Sequence, residues 1–174
     1  MAAAIADGIG SAKGGRVAAE TAVRGFLDGF WDVPGTMEVR RAAARILDSL
    51  NAWINAQGRQ DANLVGMGCT FTALVLRGRH AHVLHVGDTR AYRLSDNRLL
   101  RLTIDHVRDD RGKSPVLIRA LGIEAELQLD YTSHPMALHD RFLLCSDGVH
   151  GSLVDEAIAD ILRVRSAPED TRRR

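Results

Sequence analysis

Between Cys69 and Thr103 the chain passes through four short β-forming runs, CTFTALVLRG, HAHVLHVGD, TRAYRLS and RLLRLT, separated only by turn residues. Gly78, Gly87-Asp88 and Ser95-Asp96-Asn97 supply those turns, and each is a residue type that turns favour for its own backbone or side-chain reason. Strands in such close succession are what an antiparallel meander requires. This block limits the fold more than any other stretch of the sequence.

Helical patterns stand on both sides of it. Ala2 to Ala6 is a short apolar run that reads as a strand, followed by the Gly-rich break DGIGSAKGG. Val17, Ala18, Ala22, Val23, Phe26 and Phe30 recur at helical spacing, which predicts a helix from Arg16 to about Phe30. WDVPGT interrupts it. A second helix is predicted from about Met37 to Gln57, with Val39, Ala43, Ile46, Leu47, Leu50, Trp53 and Ile54 on one stripe and Gly58 as its stop. Beyond the meander, LIRALG reads as helix, LQLDYTS and RFLLCS as strands, and LVDEAIADILRV as a closing amphipathic helix. Helices, then a strand block, then a helix make a single α+β domain over residues 1–174, built on antiparallel sheets.

Composition excludes several classes of function. A net charge of +1 supplies no basic surface for nucleic acid or an anionic membrane. The Arg172-Arg173-Arg174 end reads as a solvated terminus. No apolar stretch approaches the roughly 20 residues of a membrane span, and MAAAIADG has no basic segment of the kind a secretory signal carries. Cys69 and Cys145 both sit in apolar runs. They read as buried free thiols, which suits a reducing cytoplasm.

The chemistry lies in the aspartates. Asp7-Gly8 and Asp147-Gly148 each follow an apolar strand-like run directly. A carboxylate at a strand end, followed by a glycine that admits close backbone approach, suits a hard cation such as Mg²⁺ or Mn²⁺, with a backbone carbonyl as a further ligand. Asp88 in HVGDTR and Asp105 in LTIDH occupy similar strand ends. Their structural alternatives are a turn aspartate paired with Arg90 and a helix cap, respectively. His80 and His82 share a strand face, whereas His85 points the other way, so a zinc site is not favoured. His106 reads as a neighbour of Asp105 and not as a ligand. Thr70 and Ser146 have no adjacent His-Asp pair to make them nucleophiles.

Read in order, ADGIGSAKGGRVAAETAV, GMGCTFTALVL, HVGDTRAYRL, LTIDH, ALG and LLCSDGV resemble the successive motifs of the metal-dependent serine/threonine protein phosphatases of the 2C type. The run GGRVAAETAVRGFLDGFWD is similar to bacterial members, some of which are fused to a protein kinase; no kinase motif occurs here. The resemblance implies two antiparallel sheets in a sandwich flanked by helices. It also implies two core Mg²⁺ or Mn²⁺ ions, with a third in some members, that activate water against a phosphoserine or phosphothreonine. The implied substrate is a phosphoprotein and the implied counterpart a protein kinase. Asp7 would bridge the two core ions and the Gly8 carbonyl would ligate one of them. Asp147 would ligate a core ion and, with Asp105, help to hold a third. No catalytic residue outside the metal site is implied, and Ile9 stands where some members have a histidine.

Two family elements have no counterpart in the sequence. One is an Arg-containing acidic motif on strands ahead of the first Asp-Gly; the other is an Asp-Asn pair before a last strand. The expectation is therefore a sandwich incomplete at its N- and C-terminal strands, with open sheet edges. Phosphatase activity of this chain alone is expected to be weak. The alternative is a non-catalytic phosphatase-like module that binds a partner protein or a phosphopeptide.

Overall fold

The computed structural model describes residues 1–10, 12–109 and 116–164. The arginines at 172–174 lie outside them. Four layers stack as helices, sheet, sheet and helix. The first sheet has the order β1-β2-β3-β6, formed by Ala2–Ile5 (β1), Phe71–Arg77 (β2), His80–Val86 (β3) and Asp130–Pro135 (β6). The second has the order β7-β4-β5, formed by Arg90–Ser95 (β4), Arg98–Arg101 (β5) and Arg141–Cys145 (β7). All of these pairings are antiparallel. Asp96 and Asn97 both take positive φ, 47° and 63°, in the β4–β5 hairpin, the backbone a tight two-residue turn demands.

Period-two alternation along β2 builds two cores from one strand. Phe71, Ala73 and Val75 face the helices α1 (Ala12–Trp31) and α2 (Val39–Gln60), where they join Ala18, Ala22, Phe26 and Leu47. Phe26 stacks on Phe30 with centroids 5.5 Å apart and meets Phe71 edge-on at 5.2 Å. Leu74 and Leu76 face the other way, into the space between the sheets, with Val83, Ala91 and Phe142. On the far side Ile158 and Leu162 of α4 (Asp155–Arg163) pack against Tyr92 and Cys145. The sandwich flanked by helices is thus the expected one. Both cysteines are free and buried. Burial pushes the Cys69 thiol up to about 12.

Three local readings differ from the expectations. The buried stripe of α2 runs through Asn51, only 1% exposed, while Trp53 turns outward at 45% exposure. Helix α2 also continues past Gly58 to Gln60, where the Asp61 N–H bonds to the Gln57 carbonyl. The buried Asn51 explains the third difference, because LIRALG is not a helix. The Asn51 carbonyl oxygen accepts the Gly122 N–H at 2.8 Å, and its amide donates to the carbonyls of Glu124 and Ala125. Asn55 donates to the Gly122 carbonyl at 2.9 Å, and Leu121 forms an isolated bridge with Cys69. These partners hold the segment open where its composition alone favours a helix.

β1 and β7 are outer strands, and neither has a ladder partner on its second side among the described residues. Between them opens an apolar cleft of about 600 Å³ lined in part by Ala3, Ile5, Leu74, Phe142 and Leu144. The buried pair Arg93–Asp140, 2.6 Å apart, sits at its side.

Beneath one end of the sandwich lies a polar seam. Thr72 and His85 face each other in the β2–β3 register, and Thr72 Oγ1 lies 2.9 Å from His85 Nδ1 and 2.7 Å from Thr89 Oγ1. His85 Nε2 is 3.0 Å from the Ile104 carbonyl. A carbonyl can only accept, so Nε2 carries the proton and Nδ1 accepts from Thr72. Burial first, then the charge of His106, depress His85 from 6.5 to about 4, against smaller opposing effects of Ile104, Asp130 and Asp105. Folded His85 binds a proton less readily than the unfolded residue. Its contribution is therefore full above pH 6.5 and is lost as pH falls toward 4, a difference of about 3 kcal/mol. An NMR titration of the His85 ring should give an apparent value near 4, with urea stability declining over the same acidic window; a ring titrating near 6.5 would contradict the seam.

Helix α1 meets the segment after β1 with no side chain in between. A Cβ on Gly8 would lie 2.4 Å from the backbone carbonyl of Gly15, and one on Gly15 would lie 2.9 Å from Gly8. Backbone cannot rotate away as a side chain can. Gly8→Ala is expected to destabilise the fold by about 1–3 kcal/mol in urea unfolding, the usual range for overpacking.

Candidate metal centre

Two aspartates far apart in sequence meet at the end of the sandwich. Asp7 follows the outer strand β1, and Asp147 opens the one-turn helix α3 (Asp147–His150) that follows the outer strand β7 of the other sheet. The Asp147 side chain lies near enough to act on the Asp7 carboxyl. Burial, then the charge of Asp147, then side-chain hydrogen bonding with it push the Asp7 carboxyl above the usual carboxylate range, opposed by the Gly8 N–H. Asp88, at the β3–β4 turn, is also pushed up, first by burial and then by the charges of Asp147 and Asp105. One end of the molecule therefore gathers anionic groups that repel one another.

Asp105 is held differently. Arg90 Nε lies 3.0 and 3.1 Å from its two carboxylate oxygens, and Arg90 Nη2 lies 2.6 Å from Oδ2, with Arg101 at 3.7 Å. Burial would raise its carboxyl, but the Arg90 hydrogen bonds and charge outweigh burial and hold it below the usual range. Arg90 thus pairs with Asp105, not with Asp88. Its Nη1 continues to the Tyr92 hydroxyl at 3.1 Å, which in turn bonds to Asp155 at the start of α4.

The backbone around the acidic end is clamped by Thr70, His150 and His106. The Asp7 N–H donates to Thr70 Oγ1 at 3.0 Å, and the Thr70 N–H donates to the Asp7 carbonyl at 2.8 Å. His150 Nε2 donates to the Asp88 carbonyl at 2.9 Å. His106 accepts the Gly87 N–H on Nδ1 at 3.0 Å and faces Asp130 through Nε2 at 3.1 Å, while its own N–H bonds to the Gly87 carbonyl. His82 bonds to the Tyr131 hydroxyl and His85 belongs to the seam. The signal for Thr70 and Thr72 was their alternation as polar residues inside an otherwise apolar strand.

Asp7, Asp147 and the Gly8 carbonyl would offer oxygen donors only, the kind that suits Mg²⁺ or Mn²⁺ over zinc or copper. A divalent cation would also relieve the repulsion seen between the carboxylates. Among the described residues no group of three or more His, Cys, Asp or Glu side chains closes on a single point. The donor set therefore fits a hard cation without forming a complete cage. No helix among the described residues is long and apolar enough to cross a membrane.

Known proteins share this sequence pattern and this fold. The family model of protein phosphatase 2C matches residues 1–173. The serine/threonine phosphatase Stp of Listeria welshimeri is 30% identical over 177 residues, covering 91% of this chain and 70% of that protein. The serine/threonine protein phosphatase PstP of Mycobacterium tuberculosis is 31% identical over 186 residues, covering 98% of this chain and 36% of that protein. The crystal structure of the M. tuberculosis phosphatase superposes with a TM-score of 0.84 at 27% identity, covering 94% of this chain and 75% of that one. The catalytic domain of PstP solved in complex with two manganese ions gives a TM-score of 0.83 at 29% identity, covering 94% of this chain and 74% of that one. Sequence and fold agree: the chain belongs to the protein phosphatase 2C family.

Proposed function

We propose that this chain acts on phosphoserine and phosphothreonine in proteins, with Mg²⁺ or Mn²⁺ held by Asp7, Asp147 and the Gly8 carbonyl. The observation that supports it best is that Asp7 and Asp147, which follow the outer strands of two different sheets, arrive at one end of the molecule where the charge of Asp147 acts on Asp7. Likeness to PstP, solved with two manganese ions, supports the choice of metal. Divalent ions bound there would supply acidified water and charge neutralisation for phosphoryl transfer. The chain's own contribution is placement. Asp7 is fixed through Thr70, the Gly8 carbonyl through the Gly15 contact, and Asp147 through the first turn of α3. Asp105 would join a third ion only by sharing its carboxylate with Arg90, so its main part is to fix Arg90 below the site.

Turnover by this chain alone is proposed to be weak. Two divalent ions bring four positive charges, and two facing carboxylates neutralise half of them. A protein kinase that writes the phosphate is the natural counterpart, and the buried free thiols suit the reducing cytoplasm. The same shortage of ligands among the described residues favours a second reading, a phosphatase-like module that binds a phosphopeptide without hydrolysing it.

Isothermal titration with MnCl₂ separates the two readings. The metal-centre reading expects Mn²⁺ binding that Asp147→Ala weakens at least about tenfold, since loss of outer-shell partners alone costs 10–100-fold. Slow, EDTA-sensitive release of p-nitrophenol from its phosphate should accompany binding. Absence of Mn²⁺ binding, or binding indifferent to Asp147→Ala, would leave the interaction module standing.

A further inference from the structure

We propose that Thr70 is the positioning residue of the metal centre, its hydroxyl standing in for a missing rung of the β-ladder and so holding Asp7 toward Asp147. This rests on the metal-centre reading above.

The argument begins with register. Ile5 stands opposite Thr72, and Gly8 stands opposite Cys69. The two pairs are three positions apart on each strand, so the register is the same on both sides and Asp7 falls opposite Thr70. In a hydrogen-bonded antiparallel pair, opposed residues exchange two N–H···O=C bonds. Here only one is backbone to backbone, from the Thr70 N–H to the Asp7 carbonyl at 2.8 Å. The other goes from the Asp7 N–H to the Thr70 hydroxyl at 3.0 Å. The strand leaves its regular path at the residue that carries the carboxylate. A side chain closes the gap.

The opposite side of Thr70 is equally constrained. A Cβ on Gly87 would lie 2.5 Å from Thr70 Cβ, and Gly87 itself has φ +108°. Gly87 precedes Asp88 and is fastened by both the ring and the N–H of His106. Thr70 therefore touches the Asp7 backbone on one side and the Asp88 turn on the other. It is 3% exposed, so neither solvent nor substrate reaches it. Its part is placement and not chemistry.

The test compares Thr70→Ser, which keeps the hydroxyl, with Thr70→Ala, which removes it. Mn²⁺ affinity is measured by titration calorimetry and stability by thermal unfolding in EDTA. Thr70→Ser should bind Mn²⁺ within about threefold of the parent, and Thr70→Ala about 10–100-fold more weakly than Thr70→Ser, the range for outer-shell partners. If Thr70→Ala fails to fold, Thr70→Cys replaces it, since its thiol is a poor acceptor, and the same loss against Thr70→Ser is expected. Equal Mn²⁺ affinity in the Ser variant and the folded Ala or Cys variant, with only the metal-free melting temperature lowered, would overturn the positioning role. A parent chain that binds no Mn²⁺ would instead overturn the metal centre itself.

Discussion

The antiparallel pairing of β1 with β2 is the constraint on which the rest depends. It joins Ile5 to Thr72 across the whole length of α1 and α2. Closing a long loop costs only modestly more than closing a short one. The helices inside this loop repay the closure by packing on the same sheet through Phe26, Leu47 and Phe71. Once the pairing is set, Asp7 must emerge at the end of the sheet and Gly8 must lie against the first turns of α1. Asp147 needs a second, independent pairing, β7 on β4, to arrive at the same place. Two ladders in two sheets thus bring two distant aspartates to one end of the molecule.

Environment divides the aspartates into two kinds. Burial first and neighbouring carboxylates second push Asp7 and Asp88 toward protonation, whereas Asp105 is held ionised by the Arg90 fork. The first kind costs folding energy and leaves the region ready for a cation. The second secures the strand ends around it, through a chain that runs from Asp105 by Arg90 and Tyr92 to Asp155 on α4. A site that stores repulsion needs such a frame, because unrelieved like charges would otherwise push its strands apart.

Much of this was legible in the sequence. The meander from Phe71 to Arg101, both long helices and the closing helix could be read because each segment has a consistent period of two or of 3.6. The two Asp-Gly pairs stood out because each ends an apolar strand. What escaped notice depended on partners distant in the chain. Nothing local distinguishes LIRALG from a helix; Asn51 and Asn55, about seventy positions away, take the hydrogen bonds that decide its shape. Arg90 is near Asp88 in sequence, yet the fold gives it to Asp105. Trp53 satisfied an apolar stripe that the buried Asn51 in fact occupies. Thr70 read only as a hydroxyl without a His-Asp partner, because its role lies in a bond to a residue 63 positions away.

The Gly8–Gly15 contact has a mechanical consequence. Where side chains separate a helix from a strand, their rotamers act as a cushion, and small displacements of one element fade before they reach the other. Here main chain rests on main chain. The start of α1 and the turn beside Asp7 therefore behave as one stiff body. A shift of that helix end, whatever its cause, would pass to the Gly8 carbonyl almost undamped. The outer helical layer is in this sense a handle on the acidic end of the molecule.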